Sequence, residues 1–190
     1  MSAPAGKSAL IVVDVQNDFT EGGALGVTGG AQVAADVTSY VAEHAGDYDY
    51  VVATRDMHID PGSHFSDSPD FVDSWPVHCV VGTGGAEFHP DLKLARVDAI
   101  FDKGNYEAAY SGFEGSTDGV PLAQWLRERD VQTVDVVGIA TDYCVRATAL
   151  DAVREGLGTR VLVELTAGVA PESTQRSLEE FAEAGITVVR

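Results

Sequence analysis

Residues 9–14 read Ala9-Leu10-Ile11-Val12-Val13-Asp14, an unbroken apolar run that stops on a carboxylate. A strand with one wet face alternates apolar and polar residues. A run that is apolar at every position belongs to a strand covered on both faces, as inside a parallel sheet layered with helices. Comparable runs follow at Tyr50–Thr54, Ala99–Asp102, Thr133–Val137, Val161–Leu165 and Ile186–Val189. Helical stretches lie among them. Ala31–Ala45 carries Val33, Val37, Tyr40 and Val41 on one stripe, with Gly46 placed to end it. A second helix carries Leu122, Trp125 and Leu126 behind Pro121, a third runs from about Asp142 to Glu155 before Gly156, and a fourth, Ser173–Ala184, closes on Gly185. This alternation predicts an α/β fold: a six-stranded, mostly parallel sheet with helices on both faces, in three Rossmann-like layers. No repeat or linker divides the chain, so residues 1–190 are expected to form a single domain.

The 190 residues include 12 basic and 30 acidic side chains, for a net charge of −18. Such a surface repels nucleic acid and anionic membranes. No run approaches the ~18 apolar residues of a membrane span. The apolar stretch Ala9–Val13 is too short for a signal peptide and has no cluster of positive charge before it, so a cytoplasmic location is expected. The two cysteines, Cys79 and Cys144, make no disulfide framework and are expected as thiols.

Gly22-Gly23 and Gly29-Gly30 invite a dinucleotide-binding reading. The residues argue against it. That fingerprint needs its glycines directly after the first strand, and here the strand runs into Asp14-Val15-Gln16-Asn17-Asp18-Phe19. A carboxylate stands where a pyrophosphate would approach, so the glycines read as turn residues.

Open parallel sheets bind ligands beyond the carboxyl ends of their strands. Asp14 ends the first strand, Asp56-Met57-His58 follows the second, Lys103 the third, and Gly138-Ile139-Ala140-Thr141-Asp142-Tyr143-Cys144 the fourth. A carboxylate, an ammonium and a thiol are thereby predicted at one edge of the sheet. Cys144 is expected in the first turn of a helix capped by Thr141 or Asp142, where the helix N-terminus and Lys103 would favour thiolate. Asp14 opposes that, so it must share its charge with Lys103 or take the thiol proton itself.

Three of the five histidines, His58, His64 and His78, fall in the segment that Asp56 opens. The stretch from Arg55 to Val97 is long, rich in Gly, Pro, Asp and His, and without a helical stripe, which marks it as functional rather than structural. Imidazole with carboxylate suits one divalent ion, zinc, iron(II) or manganese, and does not choose among them.

Five segments resemble the isochorismatase-like cysteine hydrolases and, within them, the nicotinamidase/pyrazinamidase group. They are Ala9–Phe19 (ALIVVDVQNDF), Thr54–Ser66 (TRDMHIDPGSHFS), Trp75–Gly82 (WPVHCVVG), Phe101–Gly104 (FDKG) and Val137–Val145 (VGIATDYCV). The resemblance implies a catalytic triad of Asp14, Lys103 and Cys144. It implies metal ligands at Asp56, His58 and His78, with His64 where some members add a ligand and others leave water. It implies an oxyanion hole from the backbone of Ala140 and Cys144, with a cis peptide between Ile139 and Ala140. Phe19, Trp75 and Tyr110 match aromatic positions around a substrate ring. Tyr143 departs from the histidine that some relatives carry there. The implied activity is hydrolysis of nicotinamide, and of pyrazinamide beside it, through a thioester on Cys144. The implied partner is a small aromatic amide; relatives form several oligomeric states, so a homo-oligomer stays open.

The rival within the superfamily is an amidohydrolase for ureido or aliphatic amides, whose members often lack the metal cluster. Isochorismatase itself lacks the nucleophilic cysteine. A metallohydrolase using metal-bound water would not need Cys144, and a metal-storage module would need none of Asp14, Lys103 and Cys144.

Overall fold

The computed structural model describes residues 6–190. Its strands, in chain order, are β1 (Lys7–Val13), β2 (Tyr50–Asp56), β3 (Ala99–Lys103), β4 (Ser116–Thr117), β5 (Val120–Pro121), β6 (Val131–Ile139), β7 (Gly158–Ala167) and β8 (Thr187–Val189). The helices are α1 (Gly30–His44), α2 (Leu122–Arg127), α3 (Arg146–Arg154) and α4 (Pro171–Glu183). One sheet runs β5-β4-β3-β2-β1-β6-β7-β8. All pairings are parallel except those of β4 with β3 and with β5.

The apolar run of β1 is central and covered on both faces, as its composition requires. Ala9, Ile11 and Val13 pack with Leu122, Trp125, Ala149 and Phe181 of α2, α3 and α4. Leu10 and Val12 face the other way, onto Val33, Ala34, Val37 and Val41 of α1. The chain leaves β1 for β2 on one side and β6 on the other, so the strand order switches there, the position where such sheets open a crevice. The neighbours come close: Gly138 of β6 has φ +115°, and a Cβ there would lie 2.1 Å from the carbonyl oxygen of Val13. Only glycine permits that approach.

The sheet holds eight strands where six were expected. The two extra strands are a hairpin of two-residue strands, β4 and β5, turned by Asp118 and Gly119 at positive φ. Strands this short carry no alternation to read; the Asp-Gly pair was the available sign. Pro121 is tolerated because β5 lies at the sheet edge. Gly46 does not end α1 as expected: the chain continues as a 3-10 turn over Ala45–Asp47, while Gly156 and Gly185 do follow their helices with positive φ. Of the glycine pairs near residues 22–30, Gly22 and Gly29 are turn residues at positive φ, Gly23 lies in the same loop, and Gly30 opens α1. The start of α1 is occupied by the protein's own acid: Glu21 accepts hydrogen bonds from the amides of Gly29 and Ala31 at 2.6 and 2.9 Å. Among the described residues, no helix is long and apolar enough to cross a membrane.

Candidate active site and metal centre

At the carboxyl edge of the sheet, Asp14 turns out of β1 with φ +47°, a conformation costly for a side-chain-bearing residue and typical of functional positions. Its carboxylate is fully buried. Oδ1 accepts a hydrogen bond from Thr54 Oγ1 at 2.6 Å. Lys103 Nζ lies 2.9 Å from Oδ2. Lys103 ends β3 in register with Asp56 of β2, and its ammonium also contacts Asp56 Oδ1. The same nitrogen donates to the carbonyl of Ala109 at 3.3 Å and sits 3.9 Å from Cys144 Sγ. Burial alone would discharge this lysine; the carboxylates of Asp14 and Asp56 outweigh it and hold its pKa well above the ordinary value. Asp56 is likewise opposed by burial but held below the usual carboxylate range by Lys103. Asp14 goes the other way: burial, helped by Asp56, lifts its pKa against the pull of Lys103.

Cys144 follows β6 in a widened turn over Thr141–Val145, where the amide of Val145 bonds back to the carbonyl of Ala140 at 3.0 Å. The Ile139–Ala140 peptide before it is cis. Neither expected cap forms. Thr141 donates to Thr166 Oγ1, and the carboxylate of Asp142 accepts from the amides of Val169 and Ala170 and from the hydroxyl of Ser173. Thr141 thereby ties this turn to β7, and Asp142 ties it to the β7–α4 connection and the first turn of α4. The thiol is not depressed either. Burial raises its pKa well above the ordinary value, and Lys103, already shared by two carboxylates, does not overcome it. Cys144 is therefore a neutral thiol at rest.

The histidines converge beside it. His58, His64 and His78 are buried, and one donor atom from each lies within 4.8 Å of the others. His58 Nδ1 is held by the carbonyl of Gly104 at 2.5 Å and His78 Nδ1 by that of Pro76 at 2.8 Å. Carbonyl oxygens only accept, so both rings carry the proton on Nδ1 and present Nε2. These Nε2 atoms lie 3.6 and 3.9 Å from Asp56 Oδ2. His58 Nε2 and His64 Nδ1 are buried without a hydrogen-bond partner. Unpaired buried imidazole nitrogens beside a carboxylate fit a divalent cation, which would supply the missing partner. Asp56 joins the two halves of the site, with Oδ1 on Lys103 and Oδ2 toward the histidines.

The support for this cage was not visible in the sequence. Gln16, fully buried, grips the Asp56 peptide from both sides: Oε1 accepts from its amide and Nε2 donates to its carbonyl, each at 2.8 Å. Asp18 accepts from the amide of Cys79, next to His78, at 2.7 Å. Both polar residues sit in an unpatterned stretch after β1, where only spatial partners distinguish a clamp from a surface polar residue. Gly104 is a third support. With φ +77°, it would place a Cβ 2.7 Å from His58 Cε1. Gly104→Ala is therefore expected to tilt the His58 ring and weaken metal binding by about 10- to 100-fold, the usual cost of disturbing a ligand's outer partner. Chelator competition measures this; an unchanged affinity would remove His58 from the ligand set.

Burial, reinforced by His78 and His58, lowers the pKa of His64 from 6.5 to about 4. In chelator-treated protein the His64 ring is expected to titrate by NMR with a midpoint near pH 4. The unfolded chain takes up this proton near pH 6.5 and the folded ring refuses it until about 4, so this residue's share of stability declines as pH falls through that window. A midpoint near 6.5 would mean that the cage is open to water.

Thiol and cage face one hollow. A cavity of about 270 Å³ is lined by Cys144 and Ala140, by Asp56, His64 and His78, and by Phe19, Trp75 and Tyr110. Lys103 and Asp14 are buried at 2 and 0 % exposure and do not line it. Trp75 Nε1 donates to the Tyr110 hydroxyl at 3.1 Å, and Tyr143 packs edge-on against Trp75 at 5.5 Å. Leu25, Val27, Phe71 and Val169 also line the walls. The sequence did not single these out, because apolar residues in loops look alike until the loops converge. The hollow is apolar and aromatic, with a thiol in one wall and imidazoles in another.

Known proteins resemble the chain over nearly its whole length. Residues 8–190 match the isochorismatase domain family. The chain is 61% identical over 182 residues to the nicotinamidase/pyrazinamidase of Mycobacterium tuberculosis, covering 95% of this chain and 97% of that relative. The pyrazinamidase of Pyrococcus horikoshii, solved in complex with zinc, superposes with a TM-score of 0.84 at 40% identity over 97% of this chain and 99% of its own. A protein of L. infantum, solved in complex with nicotinate, superposes with a TM-score of 0.86 at 32% identity over 97% and 93% of the two chains. Since the family model, the fold and nearly the whole length agree, the chain belongs to the isochorismatase family.

Proposed function

We propose that this protein is an amide hydrolase that converts nicotinamide to nicotinate and ammonia, and pyrazinamide in the same way, through a thioester on Cys144. One observation carries the reading: a single aromatic hollow is lined at once by the thiol and by the imidazoles of a metal-type cage. The 61% identity to a nicotinamidase/pyrazinamidase supports it independently. Ureido and aliphatic amides have no ring nitrogen for such a cage to hold, so the imidazoles favour an aromatic amide.

Asp56, His58, His78 and His64 would hold one divalent ion, and their donor set suits zinc, iron(II) or manganese. When bound, the ion would supply a Lewis-acid contact that orients a pyridine or pyrazine nitrogen. The rest is done by the chain. Phe19, Trp75 and Tyr110 enclose the ring and exclude water. Asp14 takes the proton of the neutral Cys144 thiol as the sulfur attacks the amide carbon, so no standing thiolate is needed. The backbone amides of Ala140 and Cys144 hold the oxyanion. Asp14 returns the proton to the departing nitrogen, and ammonia leaves. Asp14 then removes a proton from water, whose oxygen attacks the thioester carbon; the C–S bond breaks, nicotinate forms and the proton returns to sulfur. Lys103 keeps its charge throughout and holds the buried carboxylates in place.

The test is direct. Metal-loaded protein mixed with nicotinamide is expected to release ammonia and nicotinate in equal amounts. Acid quenching during turnover is expected to trap a pyridinecarbonyl group on the peptide that contains Cys144, seen by mass spectrometry. Turnover with no adduct at any quench time would replace the thioester with direct attack by water.

A further inference from the structure

The site contains a hydroxyl to which the reaction above gives no part. Thr54 lies on β2 and is fully buried. Its Oγ1 donates to Asp14 Oδ1 at 2.6 Å, and its carbonyl accepts from the Asp14 amide at 3.2 Å. The other branch of the side chain is fixed as well. A Cβ at Gly112 would lie 2.8 Å from Thr54 Cγ2, so the methyl group occupies space that only glycine leaves open. With the methyl seated there, the hydroxyl points at Asp14. The two oxygens of Asp14 are thereby made unequal. Oδ1 carries the Thr54 hydroxyl, whereas Oδ2 faces the Lys103 ammonium at 2.9 Å.

We propose that Thr54 is a positioning residue for the base: its hydroxyl occupies Asp14 Oδ1, so that Oδ2 is the oxygen that receives the Cys144 proton. In that step the S–H bond breaks, an O–H bond forms at Oδ2, and the sulfur pair is freed for the amide carbon. The assignment rests on the hydrolase reading above, whereas the alkylation arm of its test does not.

The hydroxyl also sets the proton affinity of the base. A hydrogen bond to a carboxylate favours the charged form, and this one lowers the Asp14 pKa against its burial. The other groups facing Asp14 are Lys103 of β3, Asp56 of β2 and the Cys144 thiol after β6, all of which remain in the variants below. Thr54→Val keeps the shape and loses the donor. Thr54→Ser keeps the donor and loses the methyl. Thr54→Ala removes both and serves where valine does not fold.

Two profiles are measured on metal-loaded protein: kcat/KM for nicotinamide against pH, and the iodoacetamide alkylation rate of the Cys144 peptide against pH. In Thr54→Val, or in Thr54→Ala, the acid limb of kcat/KM is expected to move up by about one pH unit or more, a loss of about tenfold on that limb. The alkylation profile is expected to shift relative to wild type, and Thr54→Ser to restore both. A role confined to packing would change melting temperature and leave both profiles in place, and that result overturns the proposal, as does failure of serine to restore them. If wild type releases no ammonia, the hydrolase reading fails by itself; the alkylation profiles still decide what Thr54 does to the Asp14–Cys144 pair.

Discussion

Cys144→Ala is expected to release no ammonia from nicotinamide above background while holding as much metal as wild type. The expected loss is at least about 10⁴-fold, as for nucleophile removal in other hydrolases. The structure separates the two measurements. Cys144 lines the hollow but is not among the clustered imidazole donors, and it follows β6, whereas Asp56, His58, His64 and His78 lie on β2 and the loops after it. Losing the sulfur also removes no counter-charge, because the thiol is neutral at rest. Removing one sulfur from a wall that already borders a cavity leaves little new strain, so the fold should survive. Ammonia release at the native rate would show that metal-activated water attacks directly; loss of metal together with activity would show that the two halves of the site are not separable. Measuring metal content beside turnover therefore distinguishes a nucleophile from a structural residue.

Most of the fold was legible because one physical rule covers it. Residues 9–13, apolar at every position, could only belong to a strand buried on both faces, and a parallel sheet with helices on both sides follows from such strands alternating with striped helices. What escaped was what has no periodicity: the two-residue strands β4 and β5, and the 3-10 turn that runs through Gly46. The strand-end rule likewise places Asp14, Asp56, Lys103 and Cys144 at one edge. The sequence leaves the charge state of the thiol open, because it depends on where a single ammonium points. Lys103 could have faced the sulfur alone, and then a thiolate would follow. It instead sits between Asp14 and Asp56, and spacing along the chain does not reveal that choice. Gln16 and Thr54 were missed for the same reason, since a buried amide or hydroxyl is recognised only by the groups it bonds.

Lys103→Met carries the largest expected cost in stability. Methionine matches the stem of the lysine but not its charge, so Asp14 and Asp56 would be left buried without the cation that lies against both. Two carboxylates in that position cannot both stay ionised, and one must take up a proton at neutral pH. Removing one partner of a buried ion pair typically costs about 3–5 kcal/mol. For a chain of this size that corresponds to a fall in melting temperature on the order of 10 °C. The remedy is specific to the geometry. Asp14→Asn added to Lys103→Met removes one stranded carboxylate and should recover part of the loss, an interaction of roughly 1–3 kcal/mol in a double-mutant cycle. Added zinc should also recover part of it, because the cation would sit on the Oδ2 side of Asp56, but it should not relieve Asp14, which the histidine cage does not include. Both variants should lack turnover, since the base would be either protonated at rest or absent. Thermal melts with and without chelator therefore read the lysine's two roles apart. If Lys103→Met melts like wild type in both conditions, the ammonium is not what allows the base and the metal ligand to be buried side by side, and the electrostatic account of this site fails at its centre.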